Sequence, residues 1–468
     1  MKPSRDITPS SLDFAKQELI ELLGEEYCLS DPADQILYGY DHSCMAASAD
    51  IITLPESTEQ VQAIIKIANK YYIPIIPRGQ ATNTCGAVIP IEGGIVITTQ
   101  RMNKILSIVP EDRYAVVQPG VINDTLQDSL KPHELFWPPD PGSSKICTIG
   151  GNIACNSAGP NAVKYGVTRD HVLGLTFVTG TGEIIKTGCF TTKGVVGYDL
   201  TRLLIGSQGT LGFITEAVLK LTPLPKYTHT LRVIYQSIDA ATMMISKIMQ
   251  QQPLPSALEI LDANSITLIQ ADPILEIPAN SQALLIVEFN GHDSMEVGNQ
   301  AQKVYNLIKE HPECLHHMLA TESVSRGKIW RARKALSPKL KYIAPKKINE
   351  DVAVPISKLP ELINYTNQLA KLYDIKIVNF GHAGNGNIHV NLLIDPDVLV
   401  QAQAAKVCLD LIFNKVIELK GTLSGEHGIG LTKKDSINLE LSLAHITLSK
   451  QIKAVFDPNN LLNPQLLS

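Results

Sequence analysis

The spacing of hydrophobic positions changes along the chain and predicts a mixture of strands and helices. STEQVQAIIKIANK has the spacing of an amphipathic helix. The strand-like runs around it are DIITLP, IPIIPRG, GGIVITT, YAVVQPGV, LGLTFVTGTGEII and ITEAVLKLTPLP. This pattern predicts one β-rich α+β domain over residues 51–225.

After LTPLPK the pattern alternates between strands such as ALLIVEF and amphipathic helices such as EVGNQAQKVYNLIKEH. That alternation predicts a second, α/β domain over residues 226–420 that caps the first. Glycine-rich loops return in the C-terminal segment, 421–468, and we expect this segment to dock back onto the first domain. Residues 1–50 form a separate N-terminal segment. PECLHHMLA, which contains His316 and His317, is predicted to be helical and is given no role.

Composition restricts the classes of function. A chain of 468 residues with 44% hydrophobic content can bury two or three cores. Its 41 basic and 46 acidic residues give a net charge of −5, and no long Lys/Arg block occurs, which argues against nucleic acid as a partner. The eight cysteines form no CxxC pair, so an iron–sulfur cluster or zinc ribbon is not indicated.

The N-terminal sequence, MKPSRDITPSSLDFAKQELIELL, is polar and lacks the apolar stretch of a signal peptide. No apolar run approaches the ~20 residues that span a bilayer. We therefore expect a cytoplasmic protein, with peripheral attachment to the inner membrane left open.

Two glycine-rich segments are candidates for binding a large anionic ligand. PRGQATNTCG, residues 77–86, follows a strand, and its small residues could turn their amides toward a phosphate beside Arg78. Such turns are also common for purely structural reasons, and this one matches neither GxGxxG nor GxxxxGK[ST]. The second segment, residues 137–175, contains glycines that let a ligand approach the backbone closely, among them Gly150, Gly151 and Gly159.

A third pattern predicts a metal site. KIVNFGHAGNGNIHVNLLI reads as two strands joined by a tight turn, which would bring His382 near His389. His389 and Asn391 then share one strand face. SGEHGIG places Glu426 beside His427. An isolated histidine pair is usually structural, but two imidazoles with a carboxylate suit Zn²⁺, with Fe²⁺ and Mn²⁺ as alternatives.

Taken in order, these motifs and LIGSQGTLGFITEA resemble the vanillyl-alcohol-oxidase/PCMH-type flavoproteins, over residues 51–464. The later motifs resemble their D-2-hydroxyacid dehydrogenase branch, which includes D-lactate and D-2-hydroxyglutarate dehydrogenases and the flavin subunit of glycolate oxidase. The resemblance implies a PCMH-type FAD-binding domain with an α/β cap domain and a C-terminal segment that returns to the FAD domain. The implied FAD contacts are Arg78, Gly79, Gln80, Ala81, Thr82 and Asn83 at the pyrophosphate, and Pro139, Asp140, Gly150, Gly151, Asn152 and Gly159 along the flavin.

The resemblance also implies roles at the reacting end of the site. Metal ligands would be His382, His389 and Glu426, the catalytic base would be His427, and substrate contacts would be Arg333, Ser337, Lys347 and Asn391. Some relatives attach FAD through a histidine, but Gln80 and Asn83 offer no such nucleophile, so we expect non-covalent FAD. Gln208 stands where the branch commonly has Glu, which removes a charge.

We therefore expect FAD-dependent, metal-assisted oxidation of a small D-2-hydroxyacid, D-lactate-like, to the 2-oxoacid. A glycolate oxidase flavin subunit and a D-2-hydroxyglutarate dehydrogenase are the near alternatives. A non-redox flavoprotein such as an ether-lipid synthase and a metal-dependent hydrolase are more distant ones. The electron acceptor could be a quinone, a cytochrome, an electron-transfer flavoprotein or oxygen, and a homodimer or additional subunits are left open.

Overall fold

The computed structural model describes residues 9–270 and 275–466. The expectation about the N-terminus rests partly on residues 1–8, which lie outside the described residues. The chain divides into two compact units. The first unit comprises residues 1–158, 167–224 and 426–468, and the second comprises residues 159–166 and 225–425.

The strands, in chain order, are β1 (Cys28–Leu29), β2 (Ile51–Thr53), β3 (Ile75–Arg78), β4 (Ile95–Thr98), β5 (Ile105–Val109), β6 (Tyr114–Val117), β7 (Leu135–Phe136), β8 (Val172–Val178), β9 (Ile184–Gly188), β10 (Phe213–Lys220), β11 (Thr222–Pro223), β12 (Tyr227–Tyr235), β13 (Ala257–Asp262), β14 (Ala283–Gly291), β15 (Cys314–Ala320), β16 (Lys346–Ala353), β17 (Lys376–Gly381) and β18 (Asn387–Ile394).

The helices are α1 (Pro9–Leu23), α2 (Pro32–Leu37), α3 (Thr58–Tyr71), α4 (Asn123–Leu130), α5 (Ile149–Cys155), α6 (Ala162–Tyr165), α7 (Leu200–Leu204), α8 (Ile238–Met249), α9 (Ala263–Ile269), α10 (Ser294–Lys309), α11 (Ser323–Leu340), α12 (Leu359–Leu372), α13 (Leu399–Glu418) and α14 (Leu443–Phe456). None of the helices in the described part of the chain is both long and apolar enough to cross a membrane.

The first unit contains a four-stranded sheet in the order β1-β2-β4-β3, in which β2, β4 and β3 are parallel. Helix α3 covers it, as its sequence predicts. Ser57 caps the helix by accepting a hydrogen bond from Gln60 N, and Val61, Ile64, Ile65 and Ala68 form its buried stripe.

The first unit also contains a five-stranded antiparallel sheet, β5-β6-β10-β8-β9, with a core around fully buried Trp137, and a two-stranded sheet, β11-β7. The C-terminal segment from Glu426 belongs to this unit, whereas residues 421–425 belong to the second. Leu461 O accepts from Ile75 N at 2.7 Å, and Ile75 O accepts from Asn463 N at 2.7 Å. The chain end thus adds to the edge of the four-stranded sheet at β3.

The second unit is built on a seven-stranded antiparallel sheet in the order β15-β12-β14-β13-β17-β18-β16. Helices α8, α10, α12 and α13 pack on one face, and α9 and α11 pack on the other. Most positions on both faces are apolar, so charged side chains on the α9 and α11 face stand out as candidates for function.

The prediction of a helix for PECLHHMLA is wrong, because Cys314–Ala320 of this segment forms strand β15. His316 and His317 lie opposite Ile234 and Val233 of β12. Hydrogen bonding to β12 in the sheet outweighs the local preference of so short a segment for a helix.

Candidate functional site

The loop after β3 in the first unit presents backbone amides rather than side chains. Among the described residues, no acceptor lies within hydrogen-bonding distance of the amides of residues 79–84. Ala81 has a φ of 51°, which turns the backbone within the loop. A run of unused amides that follows a strand is the feature that an anion cradle needs, so the loop fits the pyrophosphate of FAD.

Side chains of this loop support its shape. Arg78 is buried and donates from Nη1 to Tyr40 O at 2.9 Å. Asn83 Oδ1 accepts from the amides of Cys85 and Ala87 at 3.3 and 3.2 Å, which closes the turn. The structure therefore uses the Arg78 and Asn83 side chains within the protein. Gln80 is exposed, and Thr82 is half-buried.

The second glycine-rich segment lies directly against this loop. Thr148 caps α5 and accepts a hydrogen bond from Gly151 N at 3.2 Å. A Cβ atom at Gly79 would lie 2.6 Å from the same Thr148 hydroxyl, and one at Gly150 would lie 2.5 Å from Pro119 Cβ. Close packing against Thr148 and Pro119 thus requires glycine at both positions. Gly79 and the N-cap of α5 are therefore in contact.

Other residues assigned to FAD by resemblance lie in different settings. Pro139 O accepts from Asn123 Nδ2 at 3.1 Å, and Asn152 is buried within α5. Asp140 is partly exposed. Gly159 belongs to the second unit, where its φ of 124° favours glycine.

The loop that contains His427 is held by the first unit. Thr84 Oγ1 lies 3.1 Å from His427 Nδ1, and Cys85 Sγ lies 3.2 Å from His427 O. The amide of Leu431 donates to Cys85 O at 2.8 Å. The candidate base therefore rests on the end of the same loop that offers its amides to an anion.

Gln208 has a structural role in this loop. Its Oε1 accepts from Gly430 N at 3.1 Å, and its Nε2 lies 3.4 Å from Cys85 Sγ. The backbone amide of Gln208 donates to Ala154 O at 2.8 Å, which joins the GSQGTLG segment to α5. The amide side chain uses both its donor and its acceptor, so no charge is needed for these contacts.

In the second unit, the predicted hairpin is present. Strands β17 and β18 pair antiparallel and are joined by a short helical turn, Ala383–Asn385, and by Gly386 at a φ of 72°. A Cβ atom at Gly386 would lie 1.9 Å from Val354 O, so this turn accepts only glycine. The turn brings the rings of His382 and His389 together.

The two imidazoles lie close together. Their ring centroids are 5.2 Å apart, with an angle of 88° between the ring planes. A tetrahedral zinc ion held by two ring nitrogens at about 2.0–2.1 Å would set the two centroids roughly 5 Å apart. Both side chains are about nine-tenths buried. Two imidazoles are donors that suit a divalent cation.

The face that carries His389 also carries Asn391. Ile388, Val390 and Leu392 alternate with them and lie in the core on the opposite face, as the sequence predicts. Asn391 Nδ2 donates to the carbonyls of Val378 and His389 at 3.1 and 3.0 Å. Its Oδ1 is buried and has no hydrogen-bond partner within the described ranges, so it can still accept one from a bound molecule.

Asp351 also lies beside His389, although no sequence motif indicated it. It lies opposite His389 on β16, and its Oδ1 is 3.8 Å from His389 Nδ1. Its backbone carbonyl accepts from Gly425 N at 3.2 Å, and its Oδ2 accepts from Ser424 Oγ at 3.2 Å. Asp351 therefore fixes the chain immediately before Glu426.

Three of the predicted substrate contacts lie on α11 and β16. Arg333 and Ser337 lie one turn apart on α11, and Lys347 Nζ donates to Ser337 Oγ at 3.0 Å. The Arg333 guanidinium carbon lies 4.7 Å from the centroid of the Phe380 ring. The structure thus brings Ser337 and Lys347 into contact and stacks Arg333 on the strand that leads to His382.

Sequence reasoning also missed Glu259, a fully buried carboxylate on β13. Its Oε2 lies 2.7 Å from both Nε and Nη2 of Arg333, and its Oε1 lies 2.5 Å from His382 Nδ1. Burial alone would raise the pKa of Glu259, but its interactions with His382 and Arg333 hold this pKa below its usual value. The only signal in the sequence was an acidic residue within the apolar run SALEILD.

Comparisons with known proteins identify the family of the chain. Residues 49–188 match the family described as "FAD binding domain", and residues 224–466 match "FAD linked oxidases, C-terminal domain". The glycolate oxidase subunit GlcD of Bacillus subtilis (strain 168) is 39% identical over 450 residues, which are 96% of this chain and 95% of that protein. A D-lactate dehydrogenase of Anaerostipes hadrus is 34% identical over 92% of this chain and 93% of its own length.

Among solved structures, p-cresol methylhydroxylase with substrate bound superposes with a TM-score of 0.81 at 17% identity, over 99% of this chain and 98% of that one. At that identity the likeness concerns the fold. It confirms the α+β, PCMH-type architecture that the sequence predicts. Together with the family matches, it establishes that the chain belongs to the FAD-linked oxidases of the PCMH and vanillyl-alcohol-oxidase superfamily and is an enzyme of their 2-hydroxyacid dehydrogenase and oxidase group.

Proposed function

We propose that this enzyme oxidises a small D-2-hydroxyacid, with D-lactate as the first candidate, to the corresponding 2-oxoacid. One observation carries the proposal. A single buried carboxylate, Glu259, contacts both a candidate metal ligand, His382, and a candidate carboxylate-binding group, Arg333. A 2-hydroxyacid has its hydroxyl and its carboxylate on neighbouring carbons, and this pair of side chains suits both groups.

In this proposal, His382, His389 and Glu426 would hold a divalent cation, for which zinc is the first candidate and Fe²⁺ or Mn²⁺ the alternatives. Glu426 follows Gly425, which Asp351 holds in the second unit. When bound, the cation would lower the pKa of the substrate hydroxyl, and FAD would accept the hydride equivalent from the substrate Cα.

The residues of the chain would then bind the acid and move its proton. Arg333, Ser337 and Lys347 would hold the carboxylate, because a guanidinium and an ammonium are suited to that charge. Asn391 Oδ1 would accept a hydrogen bond from the substrate. These contacts fix the orientation of the Cα–H bond.

His427 would take the hydroxyl proton. Its Nδ1 lies 3.1 Å from Thr84 Oγ1, so a proton on Nδ1 can be donated to that hydroxyl. We therefore assign Nε2 as the atom that receives the substrate proton. One proton and one hydride equivalent leave the hydroxyacid, which balances its conversion to the 2-oxoacid.

FAD would be bound without a covalent bond in the pyrophosphate loop, by Arg78, Gly79, Gln80, Ala81, Thr82 and Asn83. The Bacillus subtilis relative is named as a subunit. Association with further subunits is accordingly part of the proposal, with a quinone, a cytochrome, an electron-transfer flavoprotein or oxygen as the electron acceptor.

Turnover with an artificial electron-accepting dye tests the proposed reaction. D-lactate, L-lactate, glycolate and D-2-hydroxyglutarate would be compared at equal concentrations. We expect dye reduction with D-lactate and little with L-lactate. Preference for glycolate or D-2-hydroxyglutarate would reassign the substrate within the same reaction, whereas no turnover with any of the four acids would contradict the proposal.

A further inference from the structure

The environment of Glu259 is unusual for a charged residue. It lies in β13 between Leu258 and Ile260, which are in the core on one face of the sheet, and its own side chain points to the other face with no exposed surface. A carboxylate removed from water is tolerated only when charged partners and hydrogen bonds compensate it. The identity of those partners therefore indicates what the residue does.

Each carboxylate oxygen of Glu259 has a different partner. Oε1 meets His382 Nδ1 at 2.5 Å, and Oε2 meets Nε and Nη2 of Arg333 at 2.7 Å. The two partners are far apart in the chain and come from different elements, the β17–β18 turn and α11. Glu259 contacts both His382 and Arg333 and so joins these two elements.

The contact with His382 determines which ring nitrogen can bind a metal. Because Nδ1 donates its proton to Glu259, the lone pair of the neutral ring lies on Nε2. An imidazole whose second nitrogen donates to a carboxylate is oriented and is more basic toward a cation. Glu259 would thus fix both the tautomer and the direction of the ligand.

The contact with Arg333 has a second effect. Nε and Nη2 are directed at Glu259, and the guanidinium also stacks on Phe380. Neither contact with Glu259 uses Nη1. Because the guanidinium is planar and held by these contacts, the direction of its remaining donors is set before substrate binds.

We propose that Glu259 is a positioning residue that orients a metal-binding imidazole and a carboxylate-binding guanidinium together, so that cation and substrate carboxylate are bound in a fixed relation. This inference rests on the proposed function, because it takes His382 as a metal ligand and Arg333 as a substrate contact. It assigns Glu259 no contact with substrate, flavin or cation.

Glu288 provides a matched control. It lies on β14, the next strand, is half-buried, and accepts from Thr230 Oγ1 at 2.5 Å and Trp330 Nε1 at 2.7 Å. Trp330 is on α11, three residues before Arg333. Glu288→Gln therefore removes a hydrogen-bonded carboxylate from the same sheet and the same helix contact without touching His382 or Arg333.

The test compares purified wild type, Glu259→Gln and Glu288→Gln, each loaded with FAD. The affinity for Zn²⁺ alone is measured by competition with a chromogenic chelator, and pyruvate binding is followed as a change in the oxidised flavin spectrum. For Glu259→Gln we expect Zn²⁺ affinity about 10–100-fold lower. Pyruvate affinity should be about tenfold lower, because glutamine offers Arg333 a weaker acceptor. Flavin content should be unchanged, and Glu288→Gln should match wild type in both affinities.

Several results would overturn the inference. A folded Glu259→Gln protein with wild-type affinity for Zn²⁺ and pyruvate would do so, even with a lowered melting temperature, because that would show a purely structural role. If Glu259→Gln does not fold, Glu259→Asp keeps the charge one methylene shorter, and wild-type affinities in that variant would equally overturn it. Wild type that binds no Zn²⁺ and is reduced by no 2-hydroxyacid would refute the proposed function itself, and this inference with it.

Discussion

Thr84 Oγ1 lies 3.1 Å from His427 Nδ1. Thr84 ends the loop proposed to bind the pyrophosphate of FAD, and His427 is the candidate base, so one hydroxyl connects that loop with the proposed proton acceptor. This contact holds one ring nitrogen of the candidate base.

Replacing Thr84 should therefore slow the chemical step. In Thr84→Val the methyl group keeps the volume but loses the hydroxyl, and a neutral hydrogen bond contributes about 1 kcal/mol, so we expect kcat to fall roughly fivefold to tenfold with KM little changed. Thr84→Ser keeps the hydroxyl and should stay near wild type. Steady-state kinetics with both variants decide the matter, and a wild-type kcat in Thr84→Val would rule out this role.

His427→Ala should keep its flavin but lose turnover. A positioned general base contributes about 10²–10⁴-fold to a rate, and we expect a loss of kcat in that range. The visible spectrum of the purified variant checks that FAD is still bound. Normal turnover would show that another group takes the proton.

Gln208 should act by positioning the loop that contains His427, and this role should not depend on a charge at position 208. Gln208→Ala removes the acceptor of Gly430 N, so the free energy of unfolding should fall by about 1 kcal/mol and kcat should fall with it. Gln208→Glu keeps an oxygen at this position and should retain most activity. Chemical denaturation and kinetics measure both effects, and an Ala variant that equals wild type in both would contradict this role.

Ser337 and Lys347 should act as a pair on substrate binding. Because Lys347 donates to Ser337 at 3.0 Å, Lys347→Met should raise KM about tenfold or more, and adding Ser337→Ala should cause less further loss than Ser337→Ala alone. Lys346→Met is the matched control, since Lys346 is the exposed neighbour on β16. Equal KM values for the Lys346 and Lys347 variants would remove Lys347 from the site.

The linkage of FAD gives a further prediction. The loop residues Arg78 to Asn83 include no histidine, cysteine or tyrosine. Acid precipitation should therefore release all the flavin into the supernatant. Flavin that stays with the precipitated protein would show a covalent bond and contradict this part of the account.

The elements that the sequence predicted correctly are those with strong local patterns. Helix α3 has a buried stripe and a serine cap, and the β17–β18 hairpin has a glycine turn between alternating faces. Strand β15 was mistaken for a helix because its conformation depends on pairing with β12, which no local pattern records.

For the candidate site, motifs supplied the two histidines and the glycine loops but not the residues that orient them. Glu259 and His382 are 123 residues apart and meet only because β13 and β17 are neighbours in the sheet. Asp351 meets His389 in the same way, through β16 and β18. A single acidic residue in an apolar strand has no motif of its own, so its partners become visible only in the folded chain.

The most direct test of the account is anaerobic mixing of the purified protein with D-lactate, L-lactate, glycolate and D-2-hydroxyglutarate, while flavin absorbance is followed before and after treatment with a chelator. The account predicts rapid bleaching by one D-2-hydroxyacid, D-lactate first, loss of that bleaching after chelation, and its return when Zn²⁺ is added. A flavin that none of these acids reduces, or one reduced equally well after complete removal of metal, would contradict it.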